Sequence, residues 1–200
     1  HKTTLTGYPL RDACFSTTVN IVTLANIQIN RITKPILFVT GGGNGAQLLN
    51  QLILKHKEQL EERYFIVHQV GKRFMNEFLP LKNDNYLPID FIGEGMIDLY
   101  KLSRIIISRA GAGTVCELMA LGKKSLFVPL KIAQRNEQWH NAKEAERKIG
   151  SMVVTEDELL SFPLLTKLKE LEEVQRQNQN HPPFFKDSKE KIVKEIQSCF

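Results

Sequence analysis

From Pro35 onward, short β-branched and aromatic runs alternate with longer stretches of helical periodicity, and this limits the fold more than any other feature of the chain. Pro35–Thr40, Tyr64–His68, Ile89–Ile92, Arg104–Ser108, Ser125–Val128 and Ser151–Val154 read as strands. Ala46–Glu61, Lys72–Phe78, Met96–Leu102, Ala112–Leu121 and Asn136–Lys148 read as helices. Strands and helices in turn build βαβ units, whose parallel sheet must be covered on both faces. The predicted fold class is α/β, a doubly wound parallel sheet of Rossmann-like type.

Composition agrees. With 200 residues, 42% hydrophobic and 24% charged, the chain can bury a core of its own, which excludes disorder and a fibrous repeat. No apolar run approaches the ~20 residues of a membrane-spanning helix. Cys14, Cys116 and Cys199 are far apart with no C-x-x-C pair, so a disulfide scaffold and a Cys-rich zinc site are excluded and a reducing cytoplasm is the expected compartment. The net charge of +5 favours an anionic ligand or an anionic membrane surface. Lys and Arg do not interleave with aromatics as a stacking surface requires, so no nucleic acid is expected.

Three regions follow. Residues 1–33 read as a linker and edge element, with a short strand at Thr3–Thr6 and a Gly-Tyr-Pro turn. Residues 34–162 read as a Rossmann-like core, and residues 163–200 as C-terminal helices. Those helices break at His181-Pro182-Pro183 before a basic amphipathic helix from Lys186. Because the chain opens at His1 without a methionine or a signal-peptide core, the expectation is a piece cut from a longer protein.

Two loops carry the chemistry. Gly41-Gly42-Gly43-Asn44-Gly45 follows a strand and opens a helix, where glycines let an anion approach the backbone and helix amides point at it. This suits a diphosphate or sugar phosphate; a tight turn with no ligand is the plainer alternative. The loop also fits a dinucleotide fingerprint. That fingerprint wants an acid about 20 positions on, and the second strand ends instead in His68-Gln69. No Gly-Lys-Ser/Thr follows, so a Walker loop is excluded.

The second loop, Ser108-Arg109-Ala110-Gly111-Ala112-Gly113-Thr114, ends the fourth core strand. In a doubly wound sheet the first and fourth strands flank the crevice where ligands bind. Gly111, Ala112 and Gly113 clear space, and Thr114 adds a hydroxyl. Glu117 shares a helix face with Gly113 and Thr114 and offers a carboxylate to a pair of vicinal hydroxyls, as on a ribose. Its bland role is a charge on the helix dipole. A third segment, Asn136-Glu137-Gln138-Trp139-His140-Asn141, suits either sugar hydroxyls or simple capping with Asn136 as N-cap.

Together, GGGNGAQLLN, RAGAGTVCE, LFVPL followed by NEQWHNA, and the early GYPLR resemble the C-terminal half of one family. It is the bacterial membrane-associated N-acetylglucosaminyltransferase family that makes the lipid-linked precursor of peptidoglycan, glycosyltransferase family 28. The resemblance runs from Gly7 to about Glu156. It implies the C-terminal half of a GT-B fold, two Rossmann-like halves facing a cleft, with this half binding UDP-GlcNAc as donor substrate. Arg11 is then expected near the diphosphate, together with Gly42, Gly43 and Asn44 of the glycine loop. Gly43 stands where the family commonly has a phosphate-touching serine. Phe91-Ile92-Gly93 is expected along the uracil, with Ile92 and Gly93 left as alternatives for the backbone that reads the base. Ala112, Gly113 and Thr114 would line the diphosphate, and Glu117 would hold the ribose. Gln138, backed by Asn141, would contact the sugar, while Glu137 stands where many relatives have glutamine. The loop Lys131–Arg135 is one residue longer than the family pattern.

The same resemblance puts the general base in the other half, so no catalytic residue is identified here and the chain is expected to bind donor without turnover. That other half would receive a lipid-linked acceptor, and the last helix is expected to pack toward it. The expected location is cytoplasmic, peripheral on the inner membrane. No Asp-x-Asp occurs, so no obligatory bound metal is expected, and the resemblance implies no other obligatory cofactor. His56, His181 and His68 read as solvated or packed, Cys116 as a small buried thiol, and Leu165, Leu168 and Leu171 as core. Phe184-Phe185 beside Lys186 would dock on the missing half or touch a membrane. The remaining alternatives are the donor-binding subunit of a split transferase, another UDP-sugar transferase, a dinucleotide-cofactor domain and a non-catalytic nucleotide-sugar sensor.

Overall fold

The computed structural model describes residues 3–20, 22–159, 161–177 and 187–198, omitting the side chains of 174–177. The alternation becomes strands β3 (Ile36–Thr40), β4 (Phe65–Gln69), β5 (Tyr86–Ile89), β6 (Ile105–Ser108), β7 (Leu126–Phe127) and β8 (Met152–Val153). Helices α1 (Gln47–Arg63), α2 (Met75–Phe78), α3 (Met96–Leu102), α4 (Ala112–Ala120) and α5 (Glu137–Ile149) separate them. Helices α6 (Leu164–Gln177) and α7 (Ser188–Gln197) follow. The six strands run parallel in the order β5-β4-β3-β6-β7-β8. The chain winds outward from β3, returns beside it at β6 and winds the other way, so the switch point lies between β3 and β6.

Residues two apart along a strand share a face, and the two faces hold separate cores. Leu37, Val39, Ile66, Ile105 and Ile107 meet Leu49, Ile53 and Leu60 of α1 and Leu164, Leu168 and Leu171 of α6. Phe38, Val67 and Ile106 meet Ile97 and Leu99 of α3, Val115 and Leu118 of α4, and Ala142 and Ala145 of α5. Burial on both sides explains why β3, β4 and β6 read as unbroken apolar runs. Glu172 locks α6 in place. It accepts a hydrogen bond from the Tyr64 hydroxyl at 3.0 Å and pairs with Arg63.

Three expectations are corrected. Thr3–Thr6 is not a strand: residues 3–10 carry no regular structure, because no neighbouring strand pairs with them among the described residues. The expected edge element is instead a hairpin, β1 (Thr23–Leu24) with β2 (Ile27–Gln28), separate from the large sheet. Its turn is made by Ala25 and Asn26, both left-handed. The third core strand ends at Ile89 rather than Ile92, and begins earlier, at Tyr86. Pro88 obscured it; an edge strand tolerates a proline where a central strand does not. Lys72–Phe78 is a 3₁₀ turn over Lys72–Phe74 joined to the four-residue α2.

The N-terminal segment is anchored through Leu10, Cys14, Val22 and Ile29, all buried in the core beneath α3 and α4. At the far end, Lys189 of α7 reaches Asp12 at 2.6 Å. The His181-Pro182-Pro183 break, Phe184-Phe185 and Lys186 lie outside the described residues.

His68 is packed, as expected. Its Nδ1 accepts from the Tyr86 hydroxyl at 2.8 Å, and its Nε2 donates to Asn50 Oδ1 at 3.1 Å, because the Asn50 amide nitrogen already donates to the Val70 carbonyl. Burial pushes its pKa down from 6.5 to about 3. The unfolded chain therefore binds a proton that the folded one refuses, and stability falls as pH drops from 6.5 toward 3. The loss is on the order of 4 kcal/mol. Urea midpoints at pH 7 and pH 4 should fall further for the native protein than for His68→Gln; an equal fall would acquit His68.

Candidate functional site

β3 and β6 pair with Thr40 opposite Ser108, and the Arg109 amide donates to the Thr40 carbonyl at 3.3 Å. The two small-residue loops therefore leave the sheet side by side at its C-terminal edge. The first is braced from below. Gly42 donates to Thr40 Oγ1 at 3.0 Å, and the Gln69 amide donates to the Gly42 carbonyl at 3.3 Å. Gly45 closes the turn onto the Gly42 carbonyl at 3.0 Å. Gly42, Gly43 and Asn44 remain exposed above it.

The helix after each loop starts without a side-chain cap. Ala46 stands at the N-cap of α1 and Gly111 at that of α4, and neither supplies a side-chain hydrogen bond. Two sets of free amide donors thus converge on one crevice, where an anion would satisfy them. At its floor, the Ser108 hydroxyl is buried and without a partner among the described residues.

On the α4 side, Glu117 faces the N-terminal segment. Arg11 grips its Oε1 through Nε at 2.9 Å and through Nη2 at 2.7 Å. The Arg11 side chain is half exposed while that of Glu117 is 13% exposed, so the guanidinium covers the carboxylate from outside. Tyr8 rides on the same segment, its hydroxyl 3.3 Å from where a Cβ on Gly113 would sit. The Thr114 hydroxyl is hydrogen-bonded with Tyr100, whose phenol is pushed up by burial and by Glu117.

A further pair of amides stitches the β6 turn to the loop after β7. Gln138 Oε1 accepts from the amides of Ala110 at 3.2 Å and Leu130 at 3.0 Å, and Asn141 donates to the Ala110 carbonyl at 3.1 Å. Beneath them, Arg109 pairs with Glu156 at 2.5 Å and donates to the Val128 carbonyl at 3.1 Å.

Residues 36–196 match the glycosyltransferase family 28 C-terminal domain. The chain belongs to that family. Two relatives are UDP-N-acetylglucosamine--N-acetylmuramyl-(pentapeptide) pyrophosphoryl-undecaprenol N-acetylglucosamine transferases from Clostridium tetani and Clostridium botulinum. The first is 36% identical over 179 residues, covering 86% of this chain and 48% of the relative. The second is 34% identical over 174 residues, with the same coverage. Among solved structures, Acinetobacter baumannii MurG aligns with a TM-score of 0.63 at 29% identity, over 85% of this chain and 52% of that one. The chain spans about half the length of the curated relatives it matches. Its fold is that of one half of a GT-B glycosyltransferase.

Within this family 28 domain, the expected residues fall into two groups. Gly42, Gly43 and Asn44 follow β3, Ala112, Gly113 and Thr114 follow the neighbouring β6 at the same edge of the sheet, and Glu117 of α4 meets Arg11 of the N-terminal segment. Phe91 joins them: its ring lies 3.6 Å from a Cβ placed on Gly43 and 3.5 Å from one on Gly93, and it is 63% exposed. Ile92 is 3% exposed and packs into the core, so its side chain is withdrawn while Gly93 stays open.

Gln138 and Asn141 spend one end of each amide on the β6 turn, and Gln138 Nε2 has no partner among the described residues. Asn136 does occupy the N-cap of α5, but in a left-handed conformation (φ 56°) with no side-chain bond to the helix. Arg135 before it is also left-handed, at φ 51°, at the end of the loop Lys131–Arg135, which was expected to be one residue longer than the family pattern.

Thr40, Gln69, Tyr8, Tyr100 and Arg109 escaped the sequence reading. All five act by bracing or covering; Tyr8, inside GYPLR, and Arg109, inside RAGAGTVCE, stood in motifs already singled out but were given no role there. Among the described residues no group of three His, Cys, Asp or Glu side chains is placed to hold a metal ion, and no helix is long and apolar enough to cross a membrane.

Proposed function

We propose that this chain is the UDP-GlcNAc-binding half of an inverting glycosyltransferase that transfers GlcNAc to a lipid-linked muramoyl-peptide acceptor in peptidoglycan synthesis. The observation that carries it is the convergence of two uncapped helix N-termini on one crevice at the switch point, with Glu117 one turn inside. A diphosphate supplies the anion those amides lack, and the neighbouring pentose supplies the vicinal hydroxyls that suit a carboxylate.

The reaction is displacement at the anomeric carbon, with the acceptor hydroxyl attacking and UDP leaving. This half stabilises the charge that grows on the departing diphosphate through the loop amides, Thr114 and Arg11. Arg11 must first release Glu117, so donor entry exchanges one carboxylate partner for a phosphate. Gln138 Nε2 is left to meet the sugar. The acceptor and the general base belong to the other half of a full-length enzyme, at the cytoplasmic face of the inner membrane. The chain's net charge of +5 suits that anionic surface.

Calorimetry with UDP-GlcNAc, UDP-galactose, UDP and NADH tests the reading. Heat is expected for the three uridine ligands and none for NADH; a chain that binds NADH and ignores UDP would overturn it. Gln138→Ala should weaken UDP-GlcNAc more than UDP, which feels only the loosened β6 turn.

Gly43 gives a gain-of-binding test. A Cβ there meets only the Phe91 ring, at ordinary contact distance, and the backbone is not left-handed. Gly43→Ser should fold normally and restore a hydroxyl to the phosphate. One added hydrogen bond is worth about 1 kcal/mol, hence about fivefold tighter UDP. Weaker UDP binding by this variant would place the phosphate elsewhere.

A further inference from the structure

The opposite end of the sheet holds a second cavity, of about 400 Å³. It opens where the segment Ile29–Ile36 passes the end of α3 and the start of β6, and its lining includes Lys34, Lys101, Arg104 and Lys123 but no carboxylate. Arg104 precedes β6 and Arg109 follows it, about 16 Å apart at the usual rise of a strand. The cavity is therefore remote from the glycine loops.

Its cations differ in how they are balanced. Lys101 lies 3.6 Å from Asp98 and donates to the Thr18 carbonyl. Lys34 donates to the Glu61 carbonyl and to Asn85, and Lys123 donates to the carbonyls of Lys101 at 2.7 Å and Ser103 at 2.9 Å. Neither Lys34 nor Lys123 pairs with a carboxylate among the described residues; carbonyls offer them only partial charge. Arg104 reaches Glu172 at 4.0 Å through Nε alone, and its Nη2 is buried with no partner. Burial, helped by Arg104, pushes the Lys123 ammonium down to about 8. A buried guanidinium donor without an acceptor is rare, and a cavity whose charged lining residues are all cations leaves room for an anion to offset their repulsion.

We propose that this cavity is a second binding site, for a phosphate group, in which the spare proton of Lys123 and the Lys34 ammonium donate to phosphate oxygens and Arg104, its Nη2 closed off from solvent, adds charge from behind them. The site stands independently of the donor reading. Its ligand is a phosphate monoester or diester small enough for the volume, carried by a soluble molecule or by a lipid headgroup.

Backbone amide NMR of the whole chain, titrated with inorganic phosphate in the presence of saturating UDP, tests it. Shifts are expected at Ile32–Lys34 and Leu102–Arg104. The double variant Arg104→Gln/Lys123→Gln should weaken phosphate at those amides by about tenfold or more, the loss of a charge-assisted bond and of the charge behind it. Should that variant unfold, the rim variant Lys34→Gln carries the test, with about threefold weakening expected and the spectrum of the unliganded chain changed only around residues 34, 61 and 85. Phosphatidylglycerol vesicles, compared with phosphatidylcholine, separate the sources. Charge-dependent sedimentation lost in the variant assigns a headgroup, and phosphate shifts without sedimentation assign a soluble ligand. Shifts confined to the loops 41–45 and 111–114, or none at all, would overturn the proposal.

Discussion

Glu117→Ala is expected to weaken UDP by about a hundredfold while leaving the fold intact. A carboxylate that accepts from both hydroxyls of a ribose makes two charge-assisted bonds, each worth about 1.5–3 kcal/mol. Losing even the lower sum corresponds to about two powers of ten. Stability is spared because the folded chain uses Glu117 for little else. Its visible partner, Arg11, is half exposed, and such a pair contributes about 0–1 kcal/mol.

The same pairing makes a second signature. Arg11→Ala frees the carboxylate for the ribose but removes a cation from the diphosphate. Uridine should bind as well as before or better, while UDP should bind less tightly. Calorimetry with uridine and UDP on both variants and their combination reads the coupling directly. If Glu117→Ala left UDP affinity unchanged, Glu117 would be a helix-dipole charge held by the linker, and the ribose would bind elsewhere.

The residues that could be read from sequence are those whose job shows in residue type alone. Glycines after a strand, a carboxylate one turn into a helix and β-branched runs all announce themselves locally. The parallel sheet followed as well, with its first and fourth core strands side by side, because β3, β4 and β6 are buried on both faces and read as mainly apolar runs. What stayed hidden depends on partners distant in sequence. Gln69 braces Gly42 from another strand, and Gln138 turns inward because the β6 turn and the loop after β7 leave the Ala110 and Leu130 amides beside it. Gln138 was singled out for the sugar; half of its amide serves the protein. Tyr86–Ile89 was misplaced because Pro88 argues against a strand unless its edge position is known, which only the pairing reveals. The Arg11–Glu117 contact joins residues 106 apart, and each was assigned to the ligand without sight of the other.

Gly45→Ala is expected to be the most damaging single substitution in the site, costing both the loop and its ligand. A Cβ at Gly45 would lie 1.9 Å from the Val70 carbonyl oxygen and 3.1 Å from Gly71 Cα, in a backbone at φ +71°. Gly71 is the reciprocal case: at φ +88°, its Cβ would sit 2.6 Å from the Gly45 nitrogen. The turns after β3 and β4 thus fit together only because both residues lack side chains. Neither neighbour is a flexible side-chain tip, so the glycine loop itself must lift. Overpacking combined with a forbidden φ costs about 2–4 kcal/mol. The displaced amides of Gly42, Gly43 and Asn44 would no longer meet the phosphates, and UDP should weaken by more than about tenfold even in protein that remains folded.

Gly111→Ala is the matched control. No atom lies within 4 Å of its Cβ position, and its φ is −62°, open to any residue. Its stability should stay within about 0.5 kcal/mol of the parent. If UDP nevertheless binds less tightly, the added methyl occupies ligand space rather than protein space. Urea melts and UDP calorimetry on the two variants therefore separate a glycine kept for the fold from one kept for the ligand. A Gly45→Ala protein with native stability and native UDP affinity would mean that the loop after β3 neither needs this turn nor holds the diphosphate.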